Sequence, residues 1–175
     1  MTRILPTPVR RVTSALVVLT ALFAWNHLDL DASDNRPFTA TVIAVYDGDT
    51  IGVRSPAGTM RIRLVNIDCP EYRQPFSARA RRFTSSLVFG KQVTVEPHGR
   101  DKFERLLARV IVGGIDVNET LVRKGLAWHY ERGPGDPRLA AAERAARAER
   151  AGLWADPRPV PPWQWRRTHV RERVN

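Results

Sequence analysis

Two short segments of the chain concentrate the groups that hydrolytic chemistry needs. One is Asp47-Gly48-Asp49-Thr50; the other is Arg63-Leu64-Val65-Asn66-Ile67-Asp68-Cys69-Pro70-Glu71. Each places carboxylates at a turn or a strand end, where a hard cation can collect them. Ca²⁺ takes six to eight oxygen ligands from carboxylates, carbonyls and water. Asp49 and Asp68 are therefore the candidate direct ligands. The backbone carbonyl of Cys69 is a third candidate, whereas its sulfur suits such an ion poorly. Arg63 offers a planar fork for phosphate oxygens, and Arg105 a second one. A phosphodiester attacked by water develops charge on its equatorial oxygens, which fixed guanidinium groups and a metal stabilise. Glu71 is the carboxylate left to take a proton from that water or to orient it, and Pro70 stiffens the chain just before it. Taken singly, Asp47-Gly48-Asp49 equally describes a hairpin turn in which Gly48 takes a positive φ. Asp68–Glu71 equally describes the end of a strand, and an isolated arginine a solvated surface charge.

Short strands surround these segments. Phe38–Tyr46 is β-branched and aromatic, and Thr50–Arg54 returns after the Asp47–Asp49 turn. Thr59–Ile67 alternates, with Met60, Ile62 and Leu64 on one face and Arg61 and Arg63 on the other. Gln92–Glu96 and Leu106–Val112 complete five strands, the last followed by Gly113-Gly114. Phe76, Ala80, Phe83 and Leu87 form a helical stripe ending before Gly90. Val117, Leu121 and Val122 mark a second helix closing near Gly125, and Pro137–Ala151 a third, stopped by Gly152. In the tail, Pro159, Pro161 and Pro162 argue against helix, while Trp163 and Trp165 are candidates to fold back on the domain. This pattern predicts a small β-barrel with packed helices, not a doubly wound sheet.

The chain has 175 residues, 43% hydrophobic and 26% charged, which excludes wholesale disorder and a polytopic membrane protein. Its net charge of +10 favours a polyanionic partner. From residue 38 onward 24 basic residues face 15 acidic ones, so the excess belongs to the domain. A single cysteine excludes an intramolecular disulfide framework and any multi-cysteine zinc site. The four histidines, at 27, 98, 129 and 169, have no metal-ligand spacing. Arg3, Arg10 and Arg11 precede the uncharged stretch Val12–Leu28, about 26 Å long as a helix. A basic start before an apolar core is an export pattern. Residues 1–28 are thus expected to be a signal peptide or an uncleaved anchor through 12–28, and 29–37 a polar linker. The domain spans 38–155, and 156–175 form a basic tail rich in proline and tryptophan.

Together the motifs resemble the thermonuclease family, with its staphylococcal-nuclease-like fold, over roughly Thr39–Trp154. Asp47–Thr50 is similar to the family's first metal-site turn and Arg63–Glu71 to its arginine-to-glutamate segment. Asp101-Lys102-Phe103-Glu104-Arg105 resembles the segment bearing the second active-site arginine, and Asn118–Ala127 the helix after the barrel. The resemblance implies an α+β, mainly β, OB-fold: a five-stranded barrel with three packed α-helices. It implies Ca²⁺-dependent endonucleolytic hydrolysis of DNA and RNA leaving 3′-phosphate ends. Asp49, Asp68 and the carbonyl of Cys69 would bind calcium, Glu71 would be the base or water-orienting group, and Arg63 and Arg105 would bind phosphate. DNA and RNA are the expected partners of an exported monomer with no obligate protein partner.

Three positions depart from the family pattern. Cys69 stands where Thr or Ala is usual, Phe103 where Tyr is usual, and Glu104 where Gly is usual. If position 104 needs a positive φ, Glu104 is strained there, and its charge could pair with Arg105. The alternative reading is accordingly a catalytically weak or inactive nucleic-acid-binding module on the same fold. Arg79, Arg81, Arg82, Lys91, Arg100 and Lys102 are further candidates for backbone capture, and Tyr72 and Trp128 for base stacking, although packing is the commoner role of a tryptophan in a small barrel.

Overall fold

The computed structural model describes residues 35–130 and 135–169. The proposed export segment 1–28, most of the linker 29–37, and Arg171 and Arg173 lie outside the described residues. Five strands form the barrel: β1 (Phe38–Val45), β2 (Thr50–Ser55), β3 (Gly58–Leu64), β5 (Gln92–Arg100) and β6 (Leu106–Val112). Their order is β3-β2-β1-β5-β6, antiparallel throughout, and a parallel pairing of β3 with β6 closes the ring. Two-residue strands β4 (Ile67–Asp68) and β8 (Trp128–His129) pair beside it, and β7 (Ile115–Asp116) extends the β6 edge. The closed five-stranded barrel with flanking helices is the small barrel that the strand pattern anticipated, and it is the OB-fold that the family resemblance implied.

The interior follows the period-two rule. Val42, Val53, Ile62, Leu64, Val93, Val95, Ala108 and Val110 are buried, while Arg61, Arg63 and Arg109 alternate with them on the outside. Full burial of each branched side chain removes roughly 1.5–3 kcal/mol of exposed apolar cost, which fixes the register. A one-residue slip would turn Arg63 inward. Strand β5 runs past the expected Glu96 to Arg100, with an irregularity between Pro97 and Arg100 that absorbs the proline.

Helix α1 is Ser77–Val88, α2 Val117–Arg123 and α3 Pro137–Ala148. The buried stripe of α1 is Ala80, Thr84 and Val88, with Phe83 and Leu87 half-buried at its margin. Asp116 caps α2 by accepting from the Glu119 amide at 3.0 Å, and Asp136 caps α3. Helix α3 stops three residues short of the expected end. Arg150 turns to a φ of 50° and Gly152 to 54°, so that Leu153 donates to the Gly125 carbonyl at 2.8 Å. A Cβ on Gly125 would overlap the Ala151 carbonyl, and one on Gly152 would overlap the Gly125 carbonyl.

The tail corrects the argument from its prolines: Pro162–His169 is a helix, α4. Pro162 is its first residue, where the missing N–H has no intrahelical acceptor to lose. Trp163 packs edge-on against Trp128 at 5.6 Å and tilted against Tyr130 at 5.2 Å. Trp128 also packs edge-on against Trp154 at 4.3 Å, so its ring is a packing element and not a stacking platform. Among the described residues no helix is long and apolar enough to cross a membrane.

Candidate active site

The turn between β1 and β2 is fastened from three sides. Asp47 accepts from the Asp49 amide at 2.9 Å, and the Asp49 carbonyl accepts from the Leu64 amide at 2.8 Å. Thr84 of α1 donates its hydroxyl to the Gly48 carbonyl at 2.6 Å, a buried bond that apolar periodicity gave no reason to expect. Gly48 is required for a different reason from the one the turn suggested. Its φ is not positive; instead a Cβ there would lie 2.7 Å from both Cβ and Sγ of Cys69 and 2.9 Å from Ala80 Cβ. The absent side chain lets the Asp47–Thr50 turn press against the 67–70 segment.

That close approach assembles the acids. Asp49, only 5% exposed, accepts from the Cys69 amide at 2.6 Å. Arg63 projects from β3 between two carboxylates, with Nε 3.1 Å from Asp49 Oδ1 and Nη2 3.0 Å from Asp68 Oδ1. Its Nη1 donates to the Leu64 carbonyl at 2.6 Å. Asp68, 2% exposed, sits at the end of β4, held by pairing with Trp128. Burial pushes the Asp49 carboxyl up to about 7, against the pull of Arg63 and with the help of Asp47 and Asp68. Burial and the charge of Asp49 raise the Cys69 thiol, which keeps it protonated and a poor ligand. For Arg63, burial works against the charge, but Asp49 and Asp68 outweigh it and the net shift is upward.

Glu71 follows Pro70 and is positioned through Gln74. The Gln74 side-chain oxygen accepts from the Glu71 backbone amide at 2.9 Å, while the Gln74 backbone amide donates to the Glu71 carbonyl at 2.8 Å. Gln74 Nε2 donates to the Val160 carbonyl at 2.7 Å, tying this loop to the tail. From α4, Arg166 then reaches into the cluster. Its Nη1 lies 2.5 Å from Glu71 Oε1 and 3.2 Å from Asp68 Oδ1, and its Nη2 lies 2.9 Å from Asp68 Oδ2. Burial opposes its charge, but hydrogen bonds to Asp68 and Glu71 raise its pKa further. Neither Gln74 nor Arg166 was identified from the sequence. The tryptophans that seat α4 were visible there, but nothing local marked Arg166 among the basic residues of the tail.

Arg105 stands apart from this cluster. The β3–β6 register pairs Arg63 with Leu107, so Arg105 lies two residues before the position beside Arg63. Its guanidinium is held by Asp101, with both Nε and Nη2 2.7 Å from Oδ2. The Arg105 contact keeps the Asp101 carboxyl below its usual range despite partial burial. Glu104 has a φ of 59°, so position 104 does need the left-handed conformation. The partner of Arg105 is Asp101, not Glu104. Phe103 is exposed, with Arg105 and Lys102 over its ring at 5.6 and 5.0 Å.

The chain matches the family model described as staphylococcal nuclease homologue over residues 61–156. A protein from Escherichia coli O157:H7 named as an uncharacterized endonuclease is 42% identical over 146 residues, which is 83% of this chain and 92% of that protein. This chain belongs to the staphylococcal nuclease family. Its similarity extends to a Shigella flexneri protein named micrococcal nuclease, 35% identical over 90% of this chain and 91% of the relative. Protein ParB of Escherichia coli is 37% identical over 90% of each. The chain is thus a member of a nuclease family, and nucleic acid is the substrate class that goes with it.

The family implies a divalent cation, and the donor set fits one in type. Asp49 and Asp68 offer carboxylate oxygens, and the Arg63 guanidinium touches both acids. No ready-made cluster of three His, Cys, Asp or Glu side chains spaced for a metal occurs among the described residues. A hard ion held by these two acids would take its remaining oxygen ligands from carbonyls and water. The Asp49 carboxyl, pushed up chiefly by burial, is a group whose ionised form a nearby cation would favour.

Proposed function

We propose that the protein is an exported, monomeric, Ca²⁺-dependent endonuclease that cleaves DNA and RNA to leave 3′-phosphate ends. The observation that carries this reading is the convergence of Asp49, Asp68, Arg63 and Glu71 from three separate segments into one half-buried cluster. Asp49, Asp68 and the carbonyl of Cys69 would hold the ion. Bound there, it would act as a Lewis acid that offsets negative charge building on the phosphoryl oxygens. Glu71 takes a proton from the attacking water as oxygen bonds to phosphorus. The bond from phosphorus to the 5′ oxygen breaks, that oxygen leaves as an alcohol by taking a proton from solvent, and phosphate stays on the 3′ side. Arg63 stabilises the equatorial charge from a fixed position. Arg105 does so after exchanging Asp101 for phosphate, which its 28% exposed side chain permits.

Substrate capture is electrostatic. An open groove of about 320 Å³ beside the Glu71–Gln74 turn is lined by Gln74, Pro75, Phe76, Ser77, Arg79 and Arg82. Tyr72 projects next to it, 77% exposed with Arg73 over its ring, as a surface for stacking bases. Export rests on the basic start and the uncharged Val12–Leu28 stretch, which also leaves an anchored form open. The full chain should cut denatured DNA and RNA with calcium, stop on chelation, and lose affinity steeply with salt. A binding module without catalysis is the second reading, favoured by the Asp101–Arg105 lock. Salt-sensitive binding with no cleavage in calcium, magnesium or manganese would select it.

A further inference from the structure

Among the described residues, Arg166 is the one cationic side chain of the cluster that comes from outside the barrel, and it lies against both Asp68 and Glu71. Asp68 accepts three guanidinium N–H bonds. Oδ1 takes one from Arg63 and one from Arg166, and Oδ2 takes one from Arg166. The same Arg166 Nη1 also bridges to Glu71 Oε1. A single planar fork thus joins the acid assigned to the metal with the acid assigned to the water. No oxygen of Asp68 is left without an N–H partner.

Helix and side chain are anchored separately. Helix α4 is seated by the Trp163 contacts with Trp128 and Tyr130, by buried Pro162, and by the Gln74–Val160 bond just before it. The Arg166 side chain is 41% exposed. That exposure, against 14% for Arg63 on β3, gives it a route into solvent while the Trp163 contacts keep the helix seated.

We propose that Arg166 is a positioning residue that serves as a built-in counter-ion: it holds Asp68 and Glu71 together in the metal-free protein, and a divalent cation binds by displacing it. The identity of residue 166 therefore sets the metal affinity of the site. This rests on the reading of Asp49 and Asp68 as metal ligands. The attraction between the guanidinium and two carboxylates must be given up when metal enters, so it is subtracted from the binding free energy. Arg166 also neutralises Glu71 until then, which couples release of the base to arrival of the metal.

The test is calcium titration calorimetry on the full-length wild type, Arg166→Gln and Arg166→Lys, with far-ultraviolet circular dichroism to confirm folding. Arg166→Gln is expected to bind calcium at least ten-fold more tightly than wild type. Lysine lacks the fork and should fall between them. The melting temperature of Arg166→Gln should drop without metal and return to the wild-type value in saturating calcium. A merely structural residue would lower both melting temperatures alike and leave affinity unchanged. Should Arg166→Gln fail to fold, the wild type still decides: calcium must shift the Arg166 Nε–Hε resonance, assigned with the lysine variant. Equal calcium affinities in all three proteins, or an unmoved resonance at saturation, overturn the counter-ion and leave the metal reading standing. Absence of calcium binding in every protein overturns both.

Discussion

Asp49 offers a quantitative test of the electrostatics, by varying pH in the absence of metal. Its carboxyl titrates near 7 in the folded protein against 3.8 for the free side chain, chiefly because it is buried. A raised folded pKa means that the fold favours the protonated form. The associated stability is fully present below the unfolded pKa and is lost as pH rises through the folded one. A difference of about 3 pH units at 1.36 kcal/mol each gives a loss of at most about 4 kcal/mol between roughly pH 4 and pH 7. The perturbation is Asp49→Asn, which keeps an oxygen for the Cys69 amide but never ionises. Urea unfolding of both proteins in chelator, at half-unit steps from pH 4 to 8, isolates the effect. Other groups cancel in the difference. The two should be nearly equal at pH 4, with the variant pulling ahead toward pH 8. Excess calcium should reverse the order by stabilising the ionised wild type alone. A difference that stays flat with pH, or runs the other way, would refute the claim that burial of this carboxyl outweighs its pairing with Arg63.

Three further outcomes follow from the geometry. Gly48→Ala should cost about 1–3 kcal/mol in chemical denaturation, because the new Cβ meets the Cys69 and Ala80 side chains at distances that force the turn to move. Glu71→Gln should lower kcat by about 10²-fold or more in a plasmid-nicking or oligonucleotide assay, with the melting temperature within a few degrees of wild type. Glu104→Gly should be neutral or stabilising by up to about 1 kcal/mol in thermal melts, since relief of the 59° φ offsets the greater freedom of glycine when unfolded.

The barrel was legible because its information is local and repetitive. Ile62 and Leu64 alternate with Arg61 and Arg63, and that alternation alone assigns inside and outside. Asp49, Arg63, Asp68 and Glu71 were legible because strand ends and turns keep them near their positions in the pattern. The buried Thr84 was hidden, because a hydroxyl in a helix reads as polar surface until a carbonyl such as that of Gly48 is brought to it. The pairing of Asp101 with Arg105 depends on how the loop before β6 folds, and neither charge carries a mark of its partner. Pro162 misled by type: proline forbids a helix interior but suits a helix start, and only a defined boundary distinguishes them. Arg166 was the least legible, since its role exists only through contacts 95 and 98 positions away in sequence.

Those long separations carry a consequence for how the molecule is made. A ribosome releases β1, β2 and β3 first, and β3 must wait for β6 before the ring can close, because Ile62 pairs with Leu106. Even then Asp68 and Glu71 face each other with one of their guanidinium partners not yet synthesised. Non-local pairing of this kind is slow to form, and the final stretch of the chain is needed to complete it. Full pairing of the acids therefore waits for the last helix, and a polypeptide cut short before residue 166 would carry its barrel with Arg63 still beside Asp68 but leave Glu71 to find its counter-charge in solution.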